Sequence, residues 1–137
     1  MNSVPETCCI DIDVRFNTQE EKSRADAFVR AIAQKTFLKG TRTELEVVKA
    51  RVPMEESSRN FALLDAVNAI LVKNGMQTLE ARSSGGGSDA ADVTVAGIPV
   101  LDDFGTEGDK FHTRGEYADI PSLARSAKRI AIVVSEL

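Results

Sequence analysis

The sequence predicts an α/β chain, on three observations. Residues 7–16 alternate strictly, with Cys8, Ile10, Ile12, Val14 and Phe16 on one face and Cys9, Asp11, Asp13 and Arg15 on the other. That period of two marks a strand with one wet face. Thr18 and Glu21 then form a capping box ahead of Ala25, Phe28, Val29, Ile32, Ala33 and Thr36, which recur at helical spacing. Helical and strand-like apolar segments go on alternating through the rest of the 137 residues.

Taken in order, the first helix is expected to pack its apolar stripe on the strand before it and to stop by Gly40. Residues 44–52, ELEVVKARV, read as a second strand, its apolar phase slipping between Val47 and Val48 as at a bulge or under two-sided burial. A strand-helix-strand lobe of this size has a thin core and an edge or face that something else must complete. A polar break, MEESSRN, precedes the helix FALLDAVNAILVKNG, apolar on nearly all sides and closed by Gly75. Such a helix expects burial on more than one side. A strand over 76–82, a short helix over 88–96 and a buried strand over 98–101 follow. The last helix starts near Pro121 and carries Leu123, Ala127, Ile130, Val134 and Leu137 along one stripe, the side expected to face the core.

A net charge of −4, with no long block of one sign, offers no field for a nucleic acid or an anionic membrane. No run approaches 18 apolar residues and MNSVPETCC has no signal-peptide pattern. A cytoplasmic location is therefore expected, any signal peptide lying upstream of Met1. Cys8 and Cys9 are adjacent, point to opposite faces of the expected strand and read as reduced packing residues.

Two features carry candidate chemistry. Gly85, Gly86, Gly87, Ser88 and Asp89 lie between a predicted strand and a predicted helix, where backbone N–H groups and a helix N-terminus can converge on an anion such as a carboxylate. The loop lacks the lysine of a Walker sequence and the spacing of a dinucleotide fingerprint, so nucleotide binding is disfavoured; a turn that only permits tight geometry is the alternative. His112, the sole histidine, sits in a loop between Phe111 and Thr113. Zinc takes about three protein ligands even at a catalytic site, and neither a second histidine nor a cysteine pair at ligand spacing is present. The chain's own residues do not make a zinc site.

The order GGGSDAA, AGIPVL, a glycine-bearing loop with His112, EYADI and a closing helix resembles the C-terminal part of the zinc-dependent exopeptidases and deacylases. That family comprises glutamate carboxypeptidases, aminoacylases and succinyl-diaminopimelate desuccinylases, and the glutamate carboxypeptidases are the most similar subgroup. NSVPETCCIDIDVRF is similar to the family's Asn-x-x-Pro segment entering an Asp-x-Arg strand of its lid domain, and ARVP at Ala50–Pro53 resembles the exit from that lid. The resemblance implies a two-domain parent: residues 1–54 as the C-terminal half of a lid and dimerisation domain, and 55–137 as the C-terminal part of a catalytic domain holding two zinc ions. By the same resemblance His112 is one zinc ligand, at most one in this chain, and Gly86, Gly87 and Ser88 line the substrate. Asn2, Arg15 and Arg51 are lid residues that bind substrate, and a guanidinium fork suits a free carboxylate.

The family's His-x-Asp pair, bridging Asp and Glu-Glu pair, which includes the general base, have no counterpart here. The expectation is a segment of a metal-dependent hydrolase that cleaves a peptide or N-acyl amide bond of a carboxylate-bearing substrate. Its partners would be the missing N-terminal part of the same protein and a second copy, and alone it would be inactive. The alternative is a non-catalytic module with a carboxylate-binding or assembly role.

Overall fold

The structure is a computed structural model that describes residues 4–137. The chain divides into two compact units, one ending at Pro53 and the other running from Met54 to Leu137. It is mixed α and β: four α-helices and a two-stranded antiparallel sheet among the described residues.

In the first unit the one regular element is α1, Gln19–Ala33. Its start follows the capping box: the Glu21 N–H donates to Thr18 Oγ1 (3.1 Å), while Glu21 Oε2 accepts from the N–H groups of Thr18 (3.3 Å) and Asn17 (2.7 Å). Two orphan donors are thereby satisfied, and Glu20 and Glu21 face the positive end of the helix dipole. The helix stops at Ala33, capped by Gln34, well before Gly40. None of its residues is buried, and Phe28 is 66% exposed.

The strands expected over 7–16 and 44–52 are extended backbone without a ladder among the described residues. Alternation sets which side chains share a face, but a strand also needs neighbouring backbone to pair with, and none lies beside these segments. Ile10 is 75% exposed, both Val47 and Val48 are exposed, and Cys8 and Cys9 are free, exposed thiols rather than packing residues.

The second unit is built on α2, Ser58–Lys73, and α4, Ile120–Glu136, which pack together. Ser57 caps α2 by accepting from the Asn60 N–H (3.1 Å). At its far end Gly75 (φ +66°) donates to Val72 O (3.0 Å) and Met76 to Leu71 O (2.8 Å), a Schellman motif whose Met76 side chain packs back on the core. α3, Ala90–Val95, ends the same way through Gly97 and Ile98. The core is small: Val67, Leu71 and Val133 are buried, with Leu63, Met76, Leu79, Leu101 and Phe104 packed around them.

The strands expected over 76–82 and 98–101 are likewise extended but unladdered among the described residues. Side chains of α2 hold them instead. Asn68 pairs with the Leu79 backbone, accepting from its N–H (2.7 Å) and donating to its carbonyl (3.0 Å). Asn60 accepts from the Val100 N–H (3.1 Å). Two asparagines thus do for these segments what a neighbouring strand does in a sheet.

On α4 the inward face is not the stripe the spacing suggested. Ser122, Ser126 and Val133 are buried, whereas Leu123 (56%), Val134 (76%), Ile130 and Leu137 are exposed. One residue is about 100° of helix, so the packed face is turned by that angle from the apolar stripe. The small serines let a loop lie against the helix, as the site geometry shows.

Candidate functional site

His112 stands in the loop joining β1, Gly108–Asp109, to β2, Tyr117–Ala118, which pair as Gly108 with Ala118 and Asp109 with Tyr117. The approach at Gly108 is so close that a Cβ there would run into the Tyr117 carbonyl oxygen, which is why glycine occupies it. Lys110 and His112 both adopt left-handed backbone, at φ 59° and 64°. The loop is knit from within: the His112 N–H donates to Glu116 Oε2 (3.1 Å), Thr113 Oγ1 donates to Lys110 O (2.7 Å), and the Gly115 N–H donates to Thr113 Oγ1 (3.2 Å).

α4 holds this hairpin at its base. The buried Ser122 hydroxyl accepts from the Glu107 N–H (2.8 Å) and donates to Asp119 O (2.6 Å), and Ser126 Oγ donates to Gly105 O (2.7 Å). Arg125 spans Glu107 (3.1 Å) and Asp119 (3.2 Å) on the surface above, and the Asp119 N–H closes the ring on Glu107 O (2.8 Å). An exposed imidazole is therefore carried on a short, internally bonded loop with a fixed base. Sequence reasoning missed Ser122, Arg125 and Ser126; their signal was two serines four residues apart in an otherwise apolar helix.

The glycine loop is bonded locally. The Gly86 N–H donates to Ser84 Oγ (3.1 Å), and the half-buried Ser88 accepts from the Ala90 N–H (3.1 Å). Two of the donors available for an anion are thus already engaged by serine hydroxyls, and Gly87 lies exposed between them. α3 is shorter than expected and begins at Ala90, with no side-chain cap from Asp89.

In the first unit Arg15 directs Nε (3.2 Å) and Nη2 (2.9 Å) to one oxygen of the exposed Asp13. Its guanidinium edge meets a carboxylate from its own strand segment. Arg51 is exposed in the extended stretch before Pro53, and Asn2 lies outside the described residues. Arg15 and Arg51 belong to the first unit, and Gly86, Gly87, Ser88 and His112 to the second. The hydrogen bonds of Gly86, Ser88 and His112 described above are each made within their own loops, so they do not tie the loops into one site.

Among the described residues no three His, Cys, Asp or Glu side chains are grouped to hold a metal ion. One imidazole does not fit the donor set zinc requires. The second unit also has a shallow depression lined by Glu80, Arg82, Asp103, Glu107 and Arg129. Arg129 Nε is buried there without a hydrogen-bond partner. None of the expected site residues lines it. No helix among the described residues is long and apolar enough to cross a membrane.

No family model matches the chain, and no solved structure matches it. The chain is similar to carboxypeptidase G2 of Pseudomonas sp. (strain RS-16), with 26% identity over 137 residues. That alignment takes in 99% of this chain and 33% of the carboxypeptidase, so the chain spans about a third of the length of the relative it matches. The similarity is distant, and it points towards a hydrolase.

Proposed function

We propose that the chain is part of a metal-dependent hydrolase of the glutamate carboxypeptidase type, cleaving a peptide or N-acyl amide bond of a carboxylate-bearing substrate. The observation that carries this reading is the match of the chain, over nearly its whole length, to a third of a carboxypeptidase. The single braced imidazole of His112 and the absence of a second donor beside it accord with a site completed by polypeptide outside these residues. In this reading His112 supplies one zinc ligand, Gly86, Gly87 and Ser88 flank the substrate, and Asn2, Arg15 and Arg51 lie on a lid, where the arginines take up the carboxylate. Asp13 would then hold Arg15 until a substrate carboxylate displaces it, an exchange between exposed groups that costs little.

The chain by itself is expected to hydrolyse nothing. Purified and supplied with zinc, it should turn over neither N-acyl amino acids nor small peptides above a metal-free control; turnover would refute its inactivity. Co-expression with the coding sequence upstream of Met1 should give stoichiometric zinc, and His112→Ala should reduce that content. A co-purified pair that binds no zinc would overturn the hydrolase reading in favour of a non-catalytic module.

A further inference from the structure

The helix α4 has two apolar faces, and its own unit uses one. Beside the packed face of Ser122, Ser126 and Val133 runs a second line, Ile120, Leu123, Ala127, Ile130, Val134 and Leu137, at unbroken intervals of three and four residues. All six are exposed. A strict three-four spacing is the narrow seam of a helix lying along another helix, tighter than the broad stripe of a helix packed into a globular core. Ala124 and Ala131 flank the seam on its outer side; they carry no charge and leave room for close approach.

We propose that the chain associates with a second copy of itself through this seam, as an antiparallel pair of α4 helices. Complementarity within the seam selects the partner and its direction. About a two-fold axis between Ala127 and Ile130, the small Ala127 of each copy faces the large Ile130 of the other, Leu123 faces Val134, and Ile120 faces Leu137. Small opposite large is how packed layers interdigitate, and one patch serving both copies is an isologous interface. A parallel pair would instead set Ala127 on Ala127 and leave a void. No charged side chain lies on the seam, so pairing desolvates no ion. Five large aliphatic side chains, each exposed to about half or more, offer on the order of 500–600 Å² per copy, somewhat below the ~800 Å² per partner of a standard interface. The dimer is accordingly concentration-dependent.

This association stands apart from the hydrolase reading and needs no metal or substrate. Sedimentation equilibrium of the whole chain, kept reduced because Cys8 and Cys9 are exposed, tests it from micromolar to near-millimolar concentration. The wild type should show a monomer–dimer equilibrium. Leu123→Glu and Val134→Lys should each weaken it by about tenfold or more without loss of helical circular dichroism, both positions being exposed in the free chain. The double variant L123E/V134K should recover association, because in the antiparallel register each introduced carboxylate meets the other copy's introduced ammonium. A wild type monomeric throughout would overturn the proposal and assign the seam to a different polypeptide. Dimers untouched by Leu123→Glu would overturn it in favour of a face on the first unit, and failure of the double variant to recover would overturn the antiparallel register.

Discussion

Gly75 shows how much one residue's backbone can decide in a chain with so small a core. It holds φ +66° between the α2 cap at Asn74 and Met76, whose N–H closes the helix on Leu71 O while its side chain covers the fully buried Leu71. A Cβ there would meet no neighbouring atom, so the demand for glycine is conformational and not steric. Left-handed backbone costs an ordinary L-residue roughly 1–2 kcal/mol, and asparagine, which tolerates it better, less. Gly75→Ala should therefore destabilise the second unit by about 1 kcal/mol and Gly75→Asn by a smaller amount, as chemical denaturation would show. Arg129 makes the opposite point, since its buried Nε has no acceptor although Glu80, Asp103 and Glu107 line the same depression. An unmet donor of this kind works against the fold, and its geometry is compatible with a guanidinium arranged for contacts beyond this chain.

Among the elements, α4 binds the second unit together from three directions, and each can be tested alone. Ser122 is fully buried and its hydroxyl is the partner of the Glu107 N–H. Ser122→Ala leaves that N–H without its acceptor, at a cost of about 1–3 kcal/mol. Hydrogen exchange at Glu107 and through the His112 hairpin should then accelerate more than exchange in α2. At the other end Glu136 accepts from Lys73 (2.7 Å) and Asn74 (2.9 Å), tying the C-terminus of α4 to that of α2. The Lys73 bond first, and Asn74 after it, hold the Glu136 carboxyl below the ordinary glutamate value. A lowered folded-state pKa means the contribution is present at neutral pH and is lost as pH falls below about 4.5 and through the folded value. Glu136→Gln should accordingly flatten the acid limb of a stability–pH curve in that window; an unchanged limb would show the clasp to be inert. The helices were legible in sequence because their signals are local: the Thr18–Glu21 box, Ser57 ahead of α2 and Gly75 behind it act within a turn of the bonds they make. The ladders were not, because Val47 and Ile10 report a strand's faces and say nothing of its partner. The two strands that do pair lie around His112, where two-residue segments leave no period to read. His112 and the glycine loop were visible as residues, while the serine clamp beneath the hairpin was hidden by the apolar stripe beside it.

For the whole molecule the deciding quantity is exposed surface. The chain leaves 11519 Å² accessible. Surface scaling gives about 8,400 Å² for two separate compact domains of these sizes, and less if they shared one core. The excess, on the order of 3,000 Å², is several times what the α4 seam could cover, so an α4 dimer would leave the exposed side chains of the first unit, Ile10, Val48 and Phe28 among them, uncovered. That is the physical counterpart of a match to one third of a larger enzyme: more apolar surface than two compact domains would leave, and one candidate ligand with none beside it. It also sets how the free chain should unfold. The m-value in urea follows the area newly exposed, and here that area is roughly three-quarters of what two compact domains would release. The urea m-value of the isolated chain should fall short of the size-based expectation by about a quarter. The first unit, whose helix buries no residue, should lose its structure at lower denaturant than the second. Addition of a polypeptide that completes the fold should raise the m-value and merge the two transitions into one. A full-sized m-value for the chain alone would mean that it buries more apolar surface in solution than these contacts provide, and the argument from incomplete packing to an incomplete enzyme would fail with it.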